Sequence, residues 1–327
     1  MNRFLVDFGV SRPDQYVNRN TPEPRISYQL LRTSIPPSEA EIARFEYLMR
    51  EMRLPSGVFR TTAPSRFREF DTFLNGILTR IFPAANVLEV HDWAASDASA
   101  SAGWFHTLRR SFPNARLTAS DLSLYLVEAR ASADDCYIFD ATGEVLQYVR
   151  PPFVIRLSRP EPRLLLANRL LRRSALYRLA RMRQEGLPNV ASLDFGESDE
   201  LHKPPYSFRK IPMVHPTAEL LRRSNPAFRI ERHSVFESLA YPCDVIRTMN
   251  IFNTGYFEQE RLRQGAQSVW RSLKPGGVWI VGRTIEADPP VHHASVLVRT
   301  ADRFHLHERH VEKSEVEDLA LALRLDE

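Results

Sequence analysis

Polar residues follow several apolar runs of this sequence, and one of them has the chemistry to recognise a ribose. Asp121 ends the run 116–120, and a carboxylate can accept hydrogen bonds from both vicinal hydroxyls of a ribose. A helix N-cap is the alternative role for this aspartate. In open sheets of parallel strands, ligands bind beyond the carboxyl ends of the strands. The segments in which a site is expected are therefore 89–96, 121–123, 233–235 and 249–257.

The elements that would position these segments alternate between strands and helices. Apolar runs at 86–90 and 116–120 flank a helical pattern that carries Trp104, Phe105 and Leu108, and such a βαβ unit implies a parallel sheet. After residue 210 the same patterns predict strands at 228–232, 243–248 and 278–282, a helix at 258–272, and an antiparallel hairpin at 294–299 and 303–309. We therefore predict an α/β fold with a Rossmann-like seven-stranded sheet, mostly parallel and closed by an antiparallel terminal hairpin.

Two further regions lie outside this alternation. Residues 1–82 combine an irregular arm with two helical patterns, the first of which begins with Ser38 as N-cap and Glu41 three residues later. Residues 131–210 contain a predicted hairpin at 137–149, a helix at 162–184 and a polar loop. The sequence thus predicts a helical N-terminal domain over 1–82 and a main domain over 83–327. The second region is expected to be an inserted subdomain at about 131–210.

Composition limits the functional classes. The 327 residues carry 44 basic and 40 acidic side chains, a net charge of +4 that gives no reason to expect a nucleic-acid partner. The sequence has 2 cysteines, Cys136 and Cys243, which lie far apart and favour a reducing compartment. The first ten residues do not resemble a signal peptide, and we expect no transmembrane segment. These features predict a cytoplasmic protein.

Several motifs together resemble the class I S-adenosylmethionine-dependent methyltransferases. The most specific is Cys243-Asp244-Val245-Ile246, then Met249-Asn250, a helix, and Leu273-Lys274-Pro275-Gly276-Gly277. Phe112-Pro113-Asn114-Ala115, which leads into Asp121, is similar to the second strand of that family and its ribose-binding acid. The resemblance covers roughly 83–130 and 211–310. It implies S-adenosylmethionine as cofactor and methyl transfer to a small-molecule or protein acceptor.

The overall layout is similar to the chemotaxis-receptor group of these methyltransferases. The likeness consists of Val58-Phe59-Arg60-Thr61 before the main domain, the insertion at 131–210, and Asp244-Val245-Ile246 followed by Asn250 and Tyr256-Phe257. The group carries an arginine directly before this asparagine, and the present sequence has Met249 there. The resemblance therefore concerns architecture more than the receptor substrate.

The resemblance implies a role for each residue of the site. Glu89 would orient the methionine amine, Asp121 would bind the ribose, and Leu122 would pack on the adenine. Ser234 and Val235 would contact the adenine edge, whereas Asn250 would line the methyl-donor end. Arg60 would reach a carboxylate of cofactor or substrate. Three residues are candidates for a general base, and they are Tyr256, His91 and His233.

The first loop departs from the family pattern. Class I enzymes usually place glycines at alternating positions after an acid, but His91 and Trp93 occupy those positions after Glu89. The small Ala95 and Ser96 allow close approach of a ligand to the backbone. Two outcomes follow. Either the loop binds the cofactor in a modified way, with His91 or Asp92 in contact with it, or the protein is a non-catalytic binding or scaffold protein. A dehydrogenase is disfavoured, because the glycine fingerprint for a pyrophosphate is missing.

Two remaining features have plain structural explanations. The arginine-rich helix at 162–184 could bind an anionic membrane or an acidic partner, although such helices more often bury their leucines and solvate their arginines. His305 and His307 alternate on one strand, but no acid or cysteine at ligand spacing accompanies them. We therefore predict no metal site.

Overall fold

The computed structural model describes residues 9–13, 26–52, 66–132, 135–158, 166–196, 198–287 and 289–324. The helices are α1 (Glu39–Glu51), α2 (Arg68–Ile81), α3 (Ser99–Ser111), α4 (Leu166–Gln184), α5 (Pro216–Ser224), α6 (Gln259–Ser272) and α7 (Glu317–Ala322). The strands are β1 (Glu89–Trp93), β2 (Arg116–Asp121), β3 (Tyr125–Arg130), β4 (Cys136–Phe139), β5 (Val145–Arg150), β6 (Phe153–Arg156), β7 (Glu200–Lys203), β8 (Tyr206–Pro212), β9 (Phe228–Arg232), β10 (Cys243–Met249), β11 (Leu273–Ile285), β12 (Val291–Arg299) and β13 (Phe304–His310).

These elements form two compact units, each assembled from two stretches of sequence. We call Thr62–Leu122 with Thr217–Glu327 the parallel unit, and Met1–Thr61 with Ser123–Pro216 the antiparallel unit. The division differs from the domains predicted at 1–82 and 83–327. Helix α2 belongs to the parallel unit, whereas α1 belongs with the inserted strands. No helix in the described part of the chain is long and apolar enough to span a membrane.

The parallel unit contains the predicted mixed sheet, with strand order β13-β12-β11-β10-β1-β2-β9. Its first five strands in chain order run parallel, and β12 and β13 close it as an antiparallel hairpin. The apolar stripe of α6 packs on one face, where Trp279, Val281 and Leu297 are buried with Leu262. Continuous apolar strands such as β10 and β11 are expected in a parallel sheet that is covered on both faces. The mostly parallel seven-stranded sheet is thus confirmed.

The antiparallel unit is a six-stranded sheet of order β6-β5-β4-β3-β8-β7. Side chains alternate between its faces, so Leu126 and Ile138 pack with α1 while Val127 and Tyr137 pack with α4. The predicted hairpin is confirmed as β4 and β5. Strands β3, β7 and β8 lie where no strand was predicted, because polar residues interrupt their apolar pattern. Helix α1 begins as predicted, since Ser38 and Glu41 form a capping box.

Candidate functional site

The parallel sheet has a topological switch point between β1 and β10. Chain order leads outward from β1 through β2 to β9 on one side and through β10 to β11 on the other. In sheets of this topology, the loops that leave the two central strands diverge at their carboxyl ends, and the crevice between them is the usual ligand site. The predicted segments at 121–123, 233–235 and 249–257 all leave strands of this sheet at the same edge. Strand β1 ends at Trp93, so the loop at this edge begins three residues beyond the predicted strand end.

The loop between β1 and α3 has an unusual backbone. Ala94, Ser96 and Ala98 have φ values of 56°, 58° and 63°, which is the left-handed region that glycine normally occupies. Each such residue with a Cβ atom costs on the order of 1 kcal/mol. Three of them at alternating positions therefore indicate a conformation that the surrounding contacts enforce. Strain of this kind clusters at ligand-binding sites.

Strand β2 supplies the contacts that enforce this loop. The backbone N–H of Ser96 donates to Oδ2 of Asp121 at 2.9 Å, and the N–H of Ala95 donates to the carbonyl oxygen of Ser120 at 2.9 Å. Asp121 thus lies at the crevice and binds the loop directly. The next residue, Leu122, is 48% exposed although its side chain is apolar. An apolar surface next to a carboxylate suits a nucleoside, which presents a flat base beside two hydroxyl groups.

The segment that leaves β9 completes this side of the crevice. The His233 N–H donates to the carbonyl oxygen of Asp121 at 3.2 Å, and its imidazole packs on the Trp93 ring at a centroid distance of 4.6 Å. Ser234 lies next to them, and its hydroxyl accepts from the backbone N–H of Phe236 at 3.3 Å. Val235 is buried in the core of the parallel unit together with Trp93, so its side chain is not available to a ligand.

Buried polar atoms without a partner concentrate around this loop. Within the described residues, the hydroxyls of Ser96, Ser99 and Ser120 form no hydrogen bond, and neither do Trp93 Nε1 and His233 Nε2. Ser99 and Ser120 are each only 2% exposed. Most buried polar groups in folded proteins are satisfied, so a local cluster of unsatisfied ones marks this loop as a strained or functional segment.

The carboxylate of Asp92, in contrast, accepts all of its observed hydrogen bonds from inside the parallel unit. Arg247 on β10 donates from Nε to its Oδ1 at 2.9 Å and from Nη2 to its Oδ2, and the Ser101 hydroxyl donates to Oδ2 at 2.6 Å. The same guanidinium donates to Oδ1 of Asp71 on α2 at 2.7 Å. Burial raises the pKa of Asp71 to about 7, since Asp92 opposes a second charge and Arg247 only partly compensates. The structure therefore does not bring the Asp92 carboxylate to the crevice.

Two further predicted residues of β1 lie away from the loop. Glu89 begins the strand, at the opposite edge of the sheet, and its carboxylate pairs with Arg116 at 3.1 Å. His91 lies in mid-strand, and its Nδ1 is buried without a partner among the described residues. Burial, together with the nearby His233 and Arg229, lowers the pKa of His91 to about 4. A neutral imidazole with this pKa is a weak proton acceptor.

Asn250 follows β10 in a left-handed conformation and faces β11 and β12. Its Oδ1 accepts from the Thr284 N–H at 2.6 Å, and its Nδ2 donates to the Thr284 hydroxyl at 3.3 Å. That hydroxyl lies 3.1 Å from Nδ1 of His292, whose Nε2 lies 3.0 Å from the carbonyl oxygen of Arg66. Because a carbonyl can only accept, Nε2 must carry the proton, and each group in the chain donates to the next. The Asn250 amide is therefore held in one orientation.

The structure describes the candidate base Tyr256 but not the predicted Arg60. Tyr256 lies in the turn after β10 and is 46% exposed. Its neighbour Phe257 packs edge-on against Phe236 at 5.0 Å, so the segments that follow β9 and β10 touch at the rim of the crevice. Arg60 lies outside the described residues. No group of three or more metal-ligating side chains occurs in the described ranges.

The small residues of this loop alternate from Asp92 onward, not from Glu89 as the sequence analysis predicts. Counted from Asp92 instead of Glu89, the sequence has small residues at alternating positions, which are Ala94, Ser96 and Ala98. These are the residues with a left-handed backbone. The spacing of these small residues is a signal that the sequence itself contains. Strand β1 spans Glu89–Trp93 and not 86–90, because the polar His91 and Asp92 lie inside the strand.

Comparison with known proteins gives only distant similarities. No protein-family model matches the sequence, and no curated protein matches it. Similar solved structures include an amino pentose methyltransferase from Micromonospora echinaspora (11% identity, 80% of this chain and 83% of that chain, TM-score 0.32). A sugar N-methyltransferase from a Streptoalloteichus species shows 11% identity over 79% of this chain and 77% of that chain, with a TM-score of 0.30. At this level of similarity, the chain's own contacts decide what the site can bind.

Proposed function

We propose that the protein binds S-adenosylmethionine in the crevice of the parallel unit and transfers its methyl group to a small-molecule or protein acceptor. The observation that carries this proposal is the left-handed loop at Ala94, Ser96 and Ala98, held by the carboxylate of Asp121. Such a loop brings backbone close to a ligand at the switch point of the sheet, where nucleoside cofactors bind.

The residues present fit the adenosine half of the cofactor. Asp121 has the chemistry to accept from ribose hydroxyls while Oδ2 continues to hold the Ser96 N–H. Leu122 offers an exposed apolar surface to the base, and Ser234, in the segment that follows β9, has a hydroxyl that can donate. Of the residues assigned to cofactor binding, Asp121, Leu122, Ala95 and Ser234 thus remain in the proposed site.

The methionine half meets a different surface from the one expected. The carboxylate of Asp92 is bound by Arg247 and Ser101, and Glu89 lies at the opposite edge. The methionine amine would therefore meet the serine hydroxyls of this loop in place of the carboxylates of Glu89 and Asp92. A hydroxyl stabilises an ammonium less than a carboxylate does. We expect S-adenosylmethionine to bind more weakly than it would with an available carboxylate in the loop.

The cofactor would supply a sulfonium methyl group that is already activated for transfer. The chain's contribution is then to orient the acceptor and to exclude water from the crevice. Asn250 presents one fixed amide orientation at the end of β10, which suits alignment of an acceptor. Tyr256 at the rim is the best placed of the three candidate bases, since burial lowers the pKa of His233 and lowers that of His91 to about 4. Sugars, other small molecules and protein side chains are all candidate acceptors.

A second candidate is a nucleoside-binding protein without catalysis. The observation that favours it is the ion pair between Asp92 and Arg247, which removes the carboxylate of the loop from the crevice. Under this alternative, the adenosine subsite would be retained and the methyl donor would have no productive orientation. The two candidates make different predictions about which nucleosides bind.

Calorimetric titration with S-adenosylmethionine, S-adenosylhomocysteine and adenosine separates them. Methyl transfer predicts that the first two bind at least as tightly as adenosine, whereas a nucleoside-binding protein would favour adenosine. Asp121→Asn keeps an acceptor oxygen for the Ser96 N–H but removes the charge, and we expect it to weaken nucleoside binding by about tenfold. Asp302→Asn is the matched control, because Asp302 pairs with Arg303 in the turn before β13. If none of the three ligands binds at ~100 μM, both candidates fail.

A further inference from the structure

Helix α4 exposes a stripe in which arginines and large apolar side chains alternate. Its sequence contains six arginines and no acidic residue. Leu166, Leu170 and Tyr177 are 61%, 60% and 74% exposed. At about 100° per residue, these three side chains lie within about 40° of one another around the helix axis. Arg169, Arg173 and Arg181 lie within about 60° of the same direction, so charge and apolar surface share one stripe.

The opposite side of α4 accounts for its attachment to the sheet of the antiparallel unit. Ala175, Leu179 and Met182 are buried against that sheet. Arg178 pairs with Asp135, and Arg172 donates from Nη2 to the carbonyl oxygen of Leu157 at 3.0 Å. These contacts hold α4 on the sheet without any contribution from the exposed leucines and tyrosine. The stripe therefore has no role in the packing of the antiparallel unit.

The charges on the stripe are largely uncompensated. Among the described residues, Arg169 and Arg173 pair with no carboxylate, and only Arg181 has a partner, in Glu185 at 2.7 Å. Exposed guanidinium groups next to leucines and a tyrosine match an interface where anionic headgroups meet acyl chains. The arginines would bind phosphate groups, and the leucines and the tyrosine would enter the headgroup region.

The shape of the stripe favours a lipid surface over a macromolecular partner. A helix of 19 residues is about 28 Å long, and its exposed stripe is about 10 Å wide, which is roughly a third of the ~800 Å² that each partner buries in a stable protein complex. The stripe is also convex and offers no groove. Lipid headgroups rearrange around a convex stripe, whereas a folded partner needs a preformed groove that complements both its leucines and its arginines. Aliphatic leucines, in addition, offer no stacking surface to nucleic-acid bases.

We propose that the exposed stripe of α4, formed by Leu166, Arg169, Leu170, Arg173, Tyr177 and Arg181, binds an anionic membrane surface peripherally. The chemistry recognised is a phosphate-bearing, negatively charged lipid headgroup. The helix would lie parallel to the surface, because its buried side remains attached to the sheet. This surface is independent of the crevice and of the function proposed for it.

Vesicle co-sedimentation with the full chain tests this proposal. We expect binding to vesicles of equal parts phosphatidylglycerol and phosphatidylcholine, weakened by 0.5 M NaCl, and none to pure phosphatidylcholine. An arginine near an anionic surface contributes about a fivefold gain in partitioning, so R169Q/R173Q should lower it by about 25-fold. The matched control is R222Q/R223Q on α5, which changes net charge equally at residues that already pair with Glu219. L166S/L170S should also weaken binding, although it leaves the charge unchanged.

A second measurement tests the orientation of the helix. In Y177W, brominated lipids should quench the added tryptophan emission, since the four natural tryptophans lie in the parallel unit. The proposal is overturned if the folded chain fails to bind anionic vesicles, or if R222Q/R223Q and R169Q/R173Q weaken binding equally. It is also overturned if an RNA oligonucleotide or polyglutamate binds more tightly than the vesicles do.

Discussion

In the antiparallel unit one buried carboxylate is shared by two arginines, whereas in the parallel unit one buried arginine is shared by two carboxylates. Glu128 is fully buried between Arg32, at 2.8 Å, and Arg130, and these arginine side chains are 22% and 43% exposed. Arg247, Asp71 and Asp92 are all buried. The excess positive charge around Glu128 is thus exposed to water, whereas the excess negative charge around Arg247 is buried.

This difference determines how each cluster responds to pH. Burial opposes ionisation of Glu128, but Arg32 and Arg130 outweigh it and lower the pKa of that carboxyl. In the second cluster burial prevails, and the pKa of Asp71 rises to about 7. Similar clusters of ion pairs can therefore stabilise one unit at neutral pH and destabilise the other. The parallel unit retains this destabilising cluster in its core, where Arg247 also holds the Asp92 carboxylate away from the crevice.

The largest expected effect comes from removing the shared arginine. Arg247→Met leaves two carboxylates without compensation, and we expect a loss of about 5 kcal/mol in the unfolding free energy of the parallel unit. Urea unfolding followed by tryptophan emission reports this unit selectively, because all four tryptophans lie in it. Adding Asp71→Asn and Asp92→Asn to Arg247→Met should restore part of the loss. A loss below about 1 kcal/mol in Arg247→Met would show that the cluster is not held together by charge.

The pH dependence of the parallel unit is the next largest effect. A carboxyl group whose pKa is raised from 3.8 to about 7 on folding costs nothing below pH 3.8, where both states are protonated. Between these values the unfolded state ionises first, so stability falls as pH rises, by about 4 kcal/mol in all. Asp71→Asn should remove this loss. Tryptophan-detected unfolding of both proteins from pH 4 to 8 measures the difference, and parallel curves would contradict the assignment to Asp71.

Glu128 should show the opposite pH response with a smaller size. Because its pKa is lowered on folding, its stabilisation is present above its ordinary value of 4.5 and is lost as pH falls through the folded value. Glu128→Gln should cost about 2 kcal/mol at pH 7, since the partly exposed arginines can turn to water. Hydrogen exchange of the β3, β4 and β8 amides measures the antiparallel unit. An equal cost at pH 3 and pH 7 would exclude a charge contribution.

The smallest effect concerns the strained loop. Ala94→Gly should stabilise the parallel unit by about 1 kcal/mol, because glycine adopts φ near 56° without a Cβ clash. Ala95→Gly is the matched control. Ala95 is not among the residues with positive φ, so glycine there should destabilise by about 0.5–1 kcal/mol. If both substitutions shift the tryptophan-detected transition in the same direction, the left-handed backbone at Ala94 is not a source of strain.

Local pattern was sufficient for much of the parallel unit. Strands β2, β9 and β10 and helix α6 lie within a residue or two of their predicted bounds, since continuous apolar runs and helical periodicity are local properties. The hydrophobic pattern failed to predict strands where a polar side chain inside the strand pairs with a residue far away in the sequence. Glu128 interrupts the apolar run of β3 and is neutralised by Arg32 from the N-terminal segment, so the strand was not predicted. The polar His91 and Asp92 displaced the predicted end of β1 in the same way.

The same distinction between local sequence pattern and distant contacts applies to the candidate site. From the sequence alone, the residue types at the strand ends were determined, and so was the position of Asp121 after β2. Asp121 lies at the crevice because parallel strands place their carboxyl ends at one edge. Only the tertiary structure decided which acids lie at the crevice, because Asp92 and Glu89 pair with Arg247 and Arg116, which are distant in the sequence. It also decided the left-handed loop, since alanine and serine adopt that backbone only when contacts with β2 enforce it.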